Sequence, residues 1–316
     1  MKAMILAAGT GTRLRPLTAL RPKPLFPVCT VPLLGITVSQ LMEAGIRDMI
    51  VNSHHLSQHI TSFLEHHTPR GISLSHSYEP ELLGTGGAVK KVEGFWEDQP
   101  FIVVNGDILH TIDLKAAYQT HIESNNLVTL VLHDYPRFNQ VEVDQEVSII
   151  GIRNKKAREA SSVTGTYAFT GIHIISPRLL AEIPSHRYVD IIELYLDLAA
   201  RGLKVRGYQS RNHYWRDIGT PEDYHRIHQD IYENRHCLCE TFNLSAAVTR
   251  QSAVGKGTTL EGYVCVGHNS SIGRNCSITN TIVWDNVTID DNLTIKTCII
   301  GDGAHVKKSI DNKIVI

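Results

Sequence analysis

The sequence predicts an α/β fold: a three-layer domain built on a mostly parallel sheet, followed by a short parallel β-helix. Three observations predict it. Short apolar runs alternate with segments of helical period over the first two thirds of the chain. Glycine-containing loops close two of those runs, at Gly9-Thr10-Gly11 and at Asn105-Gly106-Asp107. From Val248 onward, aliphatic residues recur every six positions. Strand–helix alternation marks a sheet covered on both faces, and ligands of such sheets bind beyond the carboxyl ends of the strands.

The elements follow in order. Residues 3–8 are apolar and read as a buried strand that runs into the first glycine loop. Residues 34–44 have helical spacing and stop at Gly45. Residues 48–52 read as a strand, 59–66 as a helix, 72–77 as a strand and 88–97 as a helix. Residues 101–104 are four apolar residues before the second glycine loop, and 127–132 form a further strand. Thr220-Pro221-Glu222-Asp223 is a helix start, with Thr220 as the cap, Pro221 in the first turn and Asp223 placed to close a capping box. That helix is expected to run to about His236 and to link the two domains, 1–235 and 245–316.

The tail changes period. Val248, Val254, Leu260, Val266, Ile272 and Ile278 are spaced by six. The register then moves by one to Val283, Ile289 and Ile295, and again before Ile300 and Val306. A six-residue repeat places one inward side chain on each flat side of a coil. The doublets Val264-Cys265, Ile282-Val283 and Ile299-Ile300 are expected to point one member inward and the other at a partner chain, which predicts a homo-oligomer joined through residues 245–316.

Composition bounds the function. The 316 residues are 42% apolar and 20% charged, which excludes disordered, collagen-like and disulfide-dense classes. A net charge of -1 excludes a whole-protein basic field for nucleic acid. The charge is uneven, however. Lys2, Arg13, Arg15, Arg21 and Lys23 all precede the first carboxylate, Glu43. A local cationic cluster in a near-neutral protein points to a small anionic ligand. Six cysteines without a CxxC pair lack zinc spacing and read as free thiols in a reducing cytoplasm. No stretch of 18 apolar residues is present, so no membrane span is expected, and residues 1–8 are too short for a signal peptide.

The first loop carries the chemistry. Glycines let the backbone approach phosphate oxygens, and successive N–H groups make an anion-binding concavity. Arg13 offers a bidentate fork for phosphate. Lys23, between Pro22 and Pro24, is a point charge on a stiff backbone. Asp107 and Asp217 each follow a strand and sit in a loop, and Mg²⁺ is commonly held by one or two carboxylates together with substrate phosphates.

Taken together, LAAGTGTRLRPLT at residues 6–18, PKP at 22–24, LGTGGA at 83–88, NGD at 105–107, FTG at 169–171 and WRDIGT at 215–220 resemble the sugar-1-phosphate nucleotidylyltransferases, with members such as the mannose-1-phosphate guanylyltransferases. The tail resembles the left-handed β-helix of many members. The resemblance implies an Mg²⁺-dependent enzyme whose partners are a nucleoside triphosphate and a sugar 1-phosphate, first GTP and mannose 1-phosphate. It implies Arg13 and Lys23 as catalytic residues and Asp107 and Asp217 as metal ligands. Leu6, Ala8, Gly9, Gly11, Thr12, Glu79, Gly84, Thr85, Gly86 and Asp107 would line the nucleotide. Asn139, Lys155, Thr170, Gly171 and Trp215 would line the sugar phosphate. The active site is expected wholly within the first domain.

Three positions leave alternatives open, the first two of them departures from the family's pattern. The family's Glu-Lys-Pro is replaced by Asn154-Lys155-Lys156, whose plain reading is a solvated hairpin. Asn139 stands where relatives often carry glycine. Glu79 could accept from guanine or from uracil or thymine, so a uridylyl- or thymidylyltransferase acting on glucose 1-phosphate or N-acetylmuramate 1-phosphate is the second substrate reading. A nucleotide-sugar-sensing subunit without activity is the binding-module alternative. His55 with His59, and His225 with His228, have helix-face spacing but no third ligand, and His268 would be the base of an acyltransferase tail.

Overall fold

The computed structural model describes residues 1–157, 163–233, 238, 248–249 and 251–316. Packing divides it into two compact units, residues 1–9 with 37–215 and residues 10–36 with 216–316. This division cuts across the sequence boundary near residue 235. The segment that carries Arg13 and Lys23 packs with the C-terminal coils.

In the first unit the sheet begins with β1 (Lys2–Leu6), β2 (Asp48–Ser53), β3 (Ser73–Tyr78) and β4 (Phe101–Asn105). β1 pairs in parallel with both β2 and β4, and β2 with β3. Helices Leu33–Glu43 and Ser57–His67 make the crossovers. The other half of the sheet is mainly antiparallel, so the sheet as a whole is mixed. The long strand β5 (Gly165–Ile175) runs antiparallel to β4, to Val128–His133 and to Asn139–Val143. Val128–His133 pairs in parallel with Val205–Gln209. Burial matches the layers: Met4, Val103, Val128, Leu130 and Ile175 are each fully buried in one core.

The helix read at residues 88–97 instead spans Gly84–Lys91, followed by a turn of 3₁₀ helix at Glu93–Phe95. Glycine propensity argues against a helix start here, but tertiary packing overrides it. The segment 187–189 crosses this first turn, with Gly86 N donating to Val189 O at 3.0 Å and Val189 N to Leu83 O at 2.8 Å. A Cβ at Gly84 or Gly87 would come within 2.6 Å of the carbonyl oxygen of Val189 or Arg187, respectively. The glycines are required by that crossing.

The second unit contains helix Pro221–Tyr232, capped as expected by Thr220, whose hydroxyl accepts from Asp223 N. Its expected continuation to His236 lies outside the described residues, as do Cys237 and Cys239. The tail is a left-handed parallel β-helix with three sheets of four short strands. Leu260 stacks on Ile278, Ile295 and Ile310, and Val266 on Val283, Ile300 and Val315. The register slips read in the sequence fall at corners, where coils shorten without disturbing the stack. Corners use a left-handed residue, supplied by Asn269, Asn275, Asn280, Asn286, Asn292 and Asn312. Asparagine tolerates that conformation better than other residues with a Cβ.

The doublets do not leave one member free. Val264, Cys265, Ile282, Val283, Ile299 and Ile300 are all buried within this one chain. Their outward face is covered by the chain's own segment 20–29 and helix Pro221–Tyr232: the Cys29 thiol hydrogen-bonds that of Cys265, and Trp284 packs edge-on against Phe26 at 4.8 Å. The apolar-face argument for a partner chain therefore loses its ground.

Candidate functional site

The parallel strands of the first unit deliver their carboxyl ends to one edge. Leu6 lies beside Asn52 and Asn105 in register, and Gly106 N donates to Leu6 O at 2.9 Å. Asn52, which the sequence reading did not single out, ties this edge together. Its Oδ1 accepts from Ala7 N at 2.8 Å and its Nδ2 donates to Glu79 Oε1 at 2.7 Å. Glu79 Oε2 accepts from Leu83 N at 3.1 Å. Glu79 is 1% exposed, with both carboxylate oxygens committed inside the protein. The structure thus gives it a scaffolding partner set: it fixes the start of the Gly84 helix. The signal for Asn52 was a polar residue ending a buried strand, Met49-Ile50-Val51-Asn52.

Gly9 has open space where a Cβ would stand, so its backbone is free to be approached. Gly11 is different. It has φ +59°, and a Cβ would lie 2.7 Å from Thr18 Cγ2. Thr18 Oγ1 donates to Gly11 O at 3.2 Å, which closes the turn that presents Thr12 and Arg13. Lys23 begins a short 3₁₀ turn, Lys23–Leu25, in which Leu25 N donates to Pro22 O at 2.8 Å and Phe26 N to Lys23 O at 3.0 Å.

Asp217, Asp223 and Arg13 converge on Gly219 in the second unit. A Cβ there would lie 2.8 Å from Asp217 Oδ2, 3.0 Å from Asp223 Oδ2 and 3.5 Å from Arg13 Nη1. Two carboxylate groups beside one guanidinium form an all-oxygen donor set that suits a hard divalent cation shared with phosphate. No group of three or more His, Cys, Asp or Glu side chains able to hold a metal is present among the described residues. Asp107 is half-buried at the turn after β4 in the first unit. Asp223 was read from sequence as a helix cap only.

Thr170 and Gly171 lie in the middle of β5, where Trp215 meets them. Thr170 Oγ1 donates to Val131 O at 2.8 Å, and Trp215 Nε1 donates to Thr170 O at 2.8 Å. Gly171, at φ +83°, passes over Asn105, whose Nδ2 would lie 2.6 Å from a Cβ. Tyr135, Phe138 and His133 surround Trp215 at ring-centroid distances of 5.7, 6.2 and 4.7 Å. Asn139 joins this wall, its Oδ1 accepting from Tyr135 N at 2.9 Å and its Nδ2 donating to Asp134 at 2.8 Å. His133 Nδ1 meets His213 Nε2 at 3.2 Å, and burial pushes its pKa down to about 4. Lys155 does not join this group. It is exposed, ion-paired to Glu193 at 2.6 Å, and follows the two-residue turn Arg153-Asn154, both at positive φ. The solvated-hairpin reading describes its surroundings.

The weaker candidates also resolve. His228 is buried, accepts from Cys29 N at 3.0 Å and donates to Tyr224 O at 2.9 Å, so it is a structural histidine. His225 Nδ1 lies 3.3 Å from Tyr263 Oη. His268 is exposed and meets Gln251 at 2.8 Å.

Residues 2–234 match the nucleotidyl transferase family, and residues 243–315 match the GMPPB C-terminal domain. A UTP–glucose-1-phosphate uridylyltransferase of Synechocystis is 32% identical over 71% of this chain, which spans 61% of that relative's length. A mannose-1-phosphate guanylyltransferase of Mycobacterium tuberculosis is 29% identical over 89% of this chain and 79% of its own. The crystal structure of HddC from Yersinia pseudotuberculosis superposes with a TM-score of 0.59 at 27% identity, covering 72% of this chain and 97% of that one. None of the described helices is long and apolar enough to cross a membrane.

Proposed function

The chain belongs to the nucleotidyl transferase family, and on that premise we propose that it condenses GTP with mannose 1-phosphate to give a nucleotide-sugar and pyrophosphate. The coarser activity, nucleotidyl transfer to a sugar 1-phosphate, is that of the family and its relatives. The observation that carries the mechanism is the convergence of Arg13 and Asp217 on Gly219, within 3.5 and 2.8 Å of the same point. A phosphate-binding fork and a cation-binding carboxylate then act on one polyphosphate.

A sugar-phosphate oxygen attacks the α-phosphorus of the triphosphate. The new P–O bond forms as the bond to the β-phosphate oxygen breaks, and the electron pair leaves with pyrophosphate. The nucleophile is already anionic, so the residues need only position and neutralise charge. The open backbone at Gly9, with Ala8, Gly11 and Thr12, cradles phosphate oxygens. Arg13 binds the departing pyrophosphate as a fork, and Lys23 supplies a point charge. Asp107 and Asp217 would hold a divalent cation, with Mg²⁺ the choice for a carboxylate–phosphate site. Such a cation neutralises phosphate charge. Leu6, Gly84, Thr85 and Gly86 face the nucleotide, and Thr170, Gly171, Asn139 and Trp215 the sugar. Glu79 supports this edge from inside. Lys155 would reach a sugar phosphate only by leaving Glu193.

Two features favour mannose and GTP. The guanylyltransferase relative aligns across most of this chain, tail included, and the tail matches a GMPPB C-terminal domain. The uridylyltransferase relative supports the second reading, UTP with glucose 1-phosphate. Pyrophosphate release in a panel crossing GTP, UTP and dTTP with mannose, glucose and N-acetylmuramate 1-phosphates separates them. Preference for UTP would overturn the first. A cytoplasmic location fits the free buried thiols Cys29, Cys265, Cys276 and Cys298. A homo-oligomer through residues 245–316 would use the exposed Val254 and Ile316 rather than the doublets. Sedimentation as a monomer at tens of micromolar refutes it.

A further inference from the structure

We infer that the β-helix is part of the phosphate-handling apparatus, and that Arg21 is a positioning residue through which it holds Lys23 in place. The inference rests on the reading of Lys23 as a phosphate-neutralising group.

The relevant contacts all lie in the second unit. Arg21 Nε and Nη2 each donate to Asp302 at 2.5 Å, and Nη2 also donates to Asp285 at 2.5 Å. The Arg21 side chain is only 17% exposed. Asp285 and Asp302 occupy stacked positions on successive coils: Asp302 Oδ1 accepts from Asp285 N at 3.1 Å, and Asp285 Oδ1 from His268 N at 2.6 Å. Each carboxylate is thus fixed by the β-helix backbone before it meets Arg21. The guanidinium also lies over Trp284, 5.3 Å from the ring centroid.

Trp284 is the second anchor. It is fully buried in a coil whose neighbours carry glycine at the corresponding places, Gly267 and Gly301. Its ring takes Phe26 edge-on, and its Nε1 donates to Tyr224 Oη at 3.1 Å. Tyr224 Oη in turn donates to Pro27 O at 2.5 Å. Leu20 rests on Gly301, where a Cβ would come within 2.6 Å of its Cδ1. Lys23 therefore sits on a short turn whose two flanks, Arg21 and Phe26, are both pinned to Trp284. A small displacement of a charge that must meet developing phosphate charge lowers turnover without abolishing ground-state binding. A paired, forked and mostly buried arginine is a fixed strut, not a flexible surface pair.

The test is a double-mutant cycle on kcat. Arg21→Met keeps length and removes the fork. We expect kcat for pyrophosphate release to fall about 10-fold or more, with GTP affinity changed less than about 3-fold. Asp302→Asn should give the same pattern more weakly, and Arg21→Lys an intermediate loss. In a Lys23→Ala background, Arg21→Met should cost less than about 3-fold, because the group it positions is gone. A purely structural role would instead multiply the two losses. Full multiplicativity, or wild-type kcat in Arg21→Met, overturns the positioning inference. Wild-type kcat in Lys23→Ala overturns the reading of Lys23 on which it rests. Should Arg21→Met fail to fold by circular dichroism, Asp302→Asn and Arg21→Lys decide through the same cycle.

Discussion

Asn52 bridges Ala7 and Glu79, accepting from one backbone and donating to the other's carboxylate, so one buried amide joins the ends of three neighbouring strands. Its removal should be costly. Asn52→Ala strands the Ala7 N–H and takes a donor from a buried carboxylate, which predicts a loss of about 3 kcal/mol. Urea unfolding measures it. A change under about 0.5 kcal/mol would show that water replaces the amide.

Asp107→Asn and Asp217→Asn each keep shape and delete one charge. Divalent-dependent turnover should fall at least about 100-fold in each, with the melting temperature nearly unchanged. Titration of both variants with Mg²⁺ under initial-rate conditions checks this. Near-normal rates at saturating cation would remove that carboxylate from the metal site.

Arg13→Lys keeps the charge and loses the fork. If the fork binds departing pyrophosphate, kcat should fall by about 100-fold, and the reverse reaction by a similar factor. Equal rates in both directions with lysine would reduce Arg13 to a general attraction.

Stability should depend on pH through buried histidines. Burial pushes His173 down to about 3 and His228 to about 4; burial and the facing His213 push His110 down to about 3. The folded values are depressed, so below about 6.5 the unfolded chain takes up protons first. Stability is full above about 6.5 and is lost progressively toward 4. Each fully buried imidazole should contribute about 2 kcal/mol of loss at pH 5 relative to neutral pH. Denaturant unfolding at pH 7.5 and pH 5 measures the sum, and equal stabilities would contradict it.

Much of this was legible in the residues. Periodicity carried the tail because each flat side of a coil must place one aliphatic side chain inward, and Leu260, Ile278 and Ile295 do so in register on one side. The cap at Thr220 was local and came out as read. What escaped the sequence was long-range. Gly84 and Gly86 read from sequence only as lining the nucleotide, but a Cβ at either would meet Val189, about a hundred residues away in the chain. Arg21 looked like one more cation in a basic segment, and its partners Asp285 and Asp302 lie more than 260 residues further on. The doublets looked half-exposed because their cover comes from the segment 20–29. Local pattern cannot show which distant surface closes on a flat face.

The central claim is transfer of a nucleotidyl group to a sugar phosphate, and labelled-phosphate transfer tests it most directly. The protein is incubated with mannose 1-phosphate, Mg²⁺ and GTP labelled at either the α- or the γ-phosphorus. The account predicts α-label in a nucleotide-sugar whose formation requires the sugar phosphate, and γ-label only in pyrophosphate. Release of α-label as free GMP without the sugar phosphate, or no transfer to any sugar 1-phosphate from any nucleoside triphosphate, would contradict it.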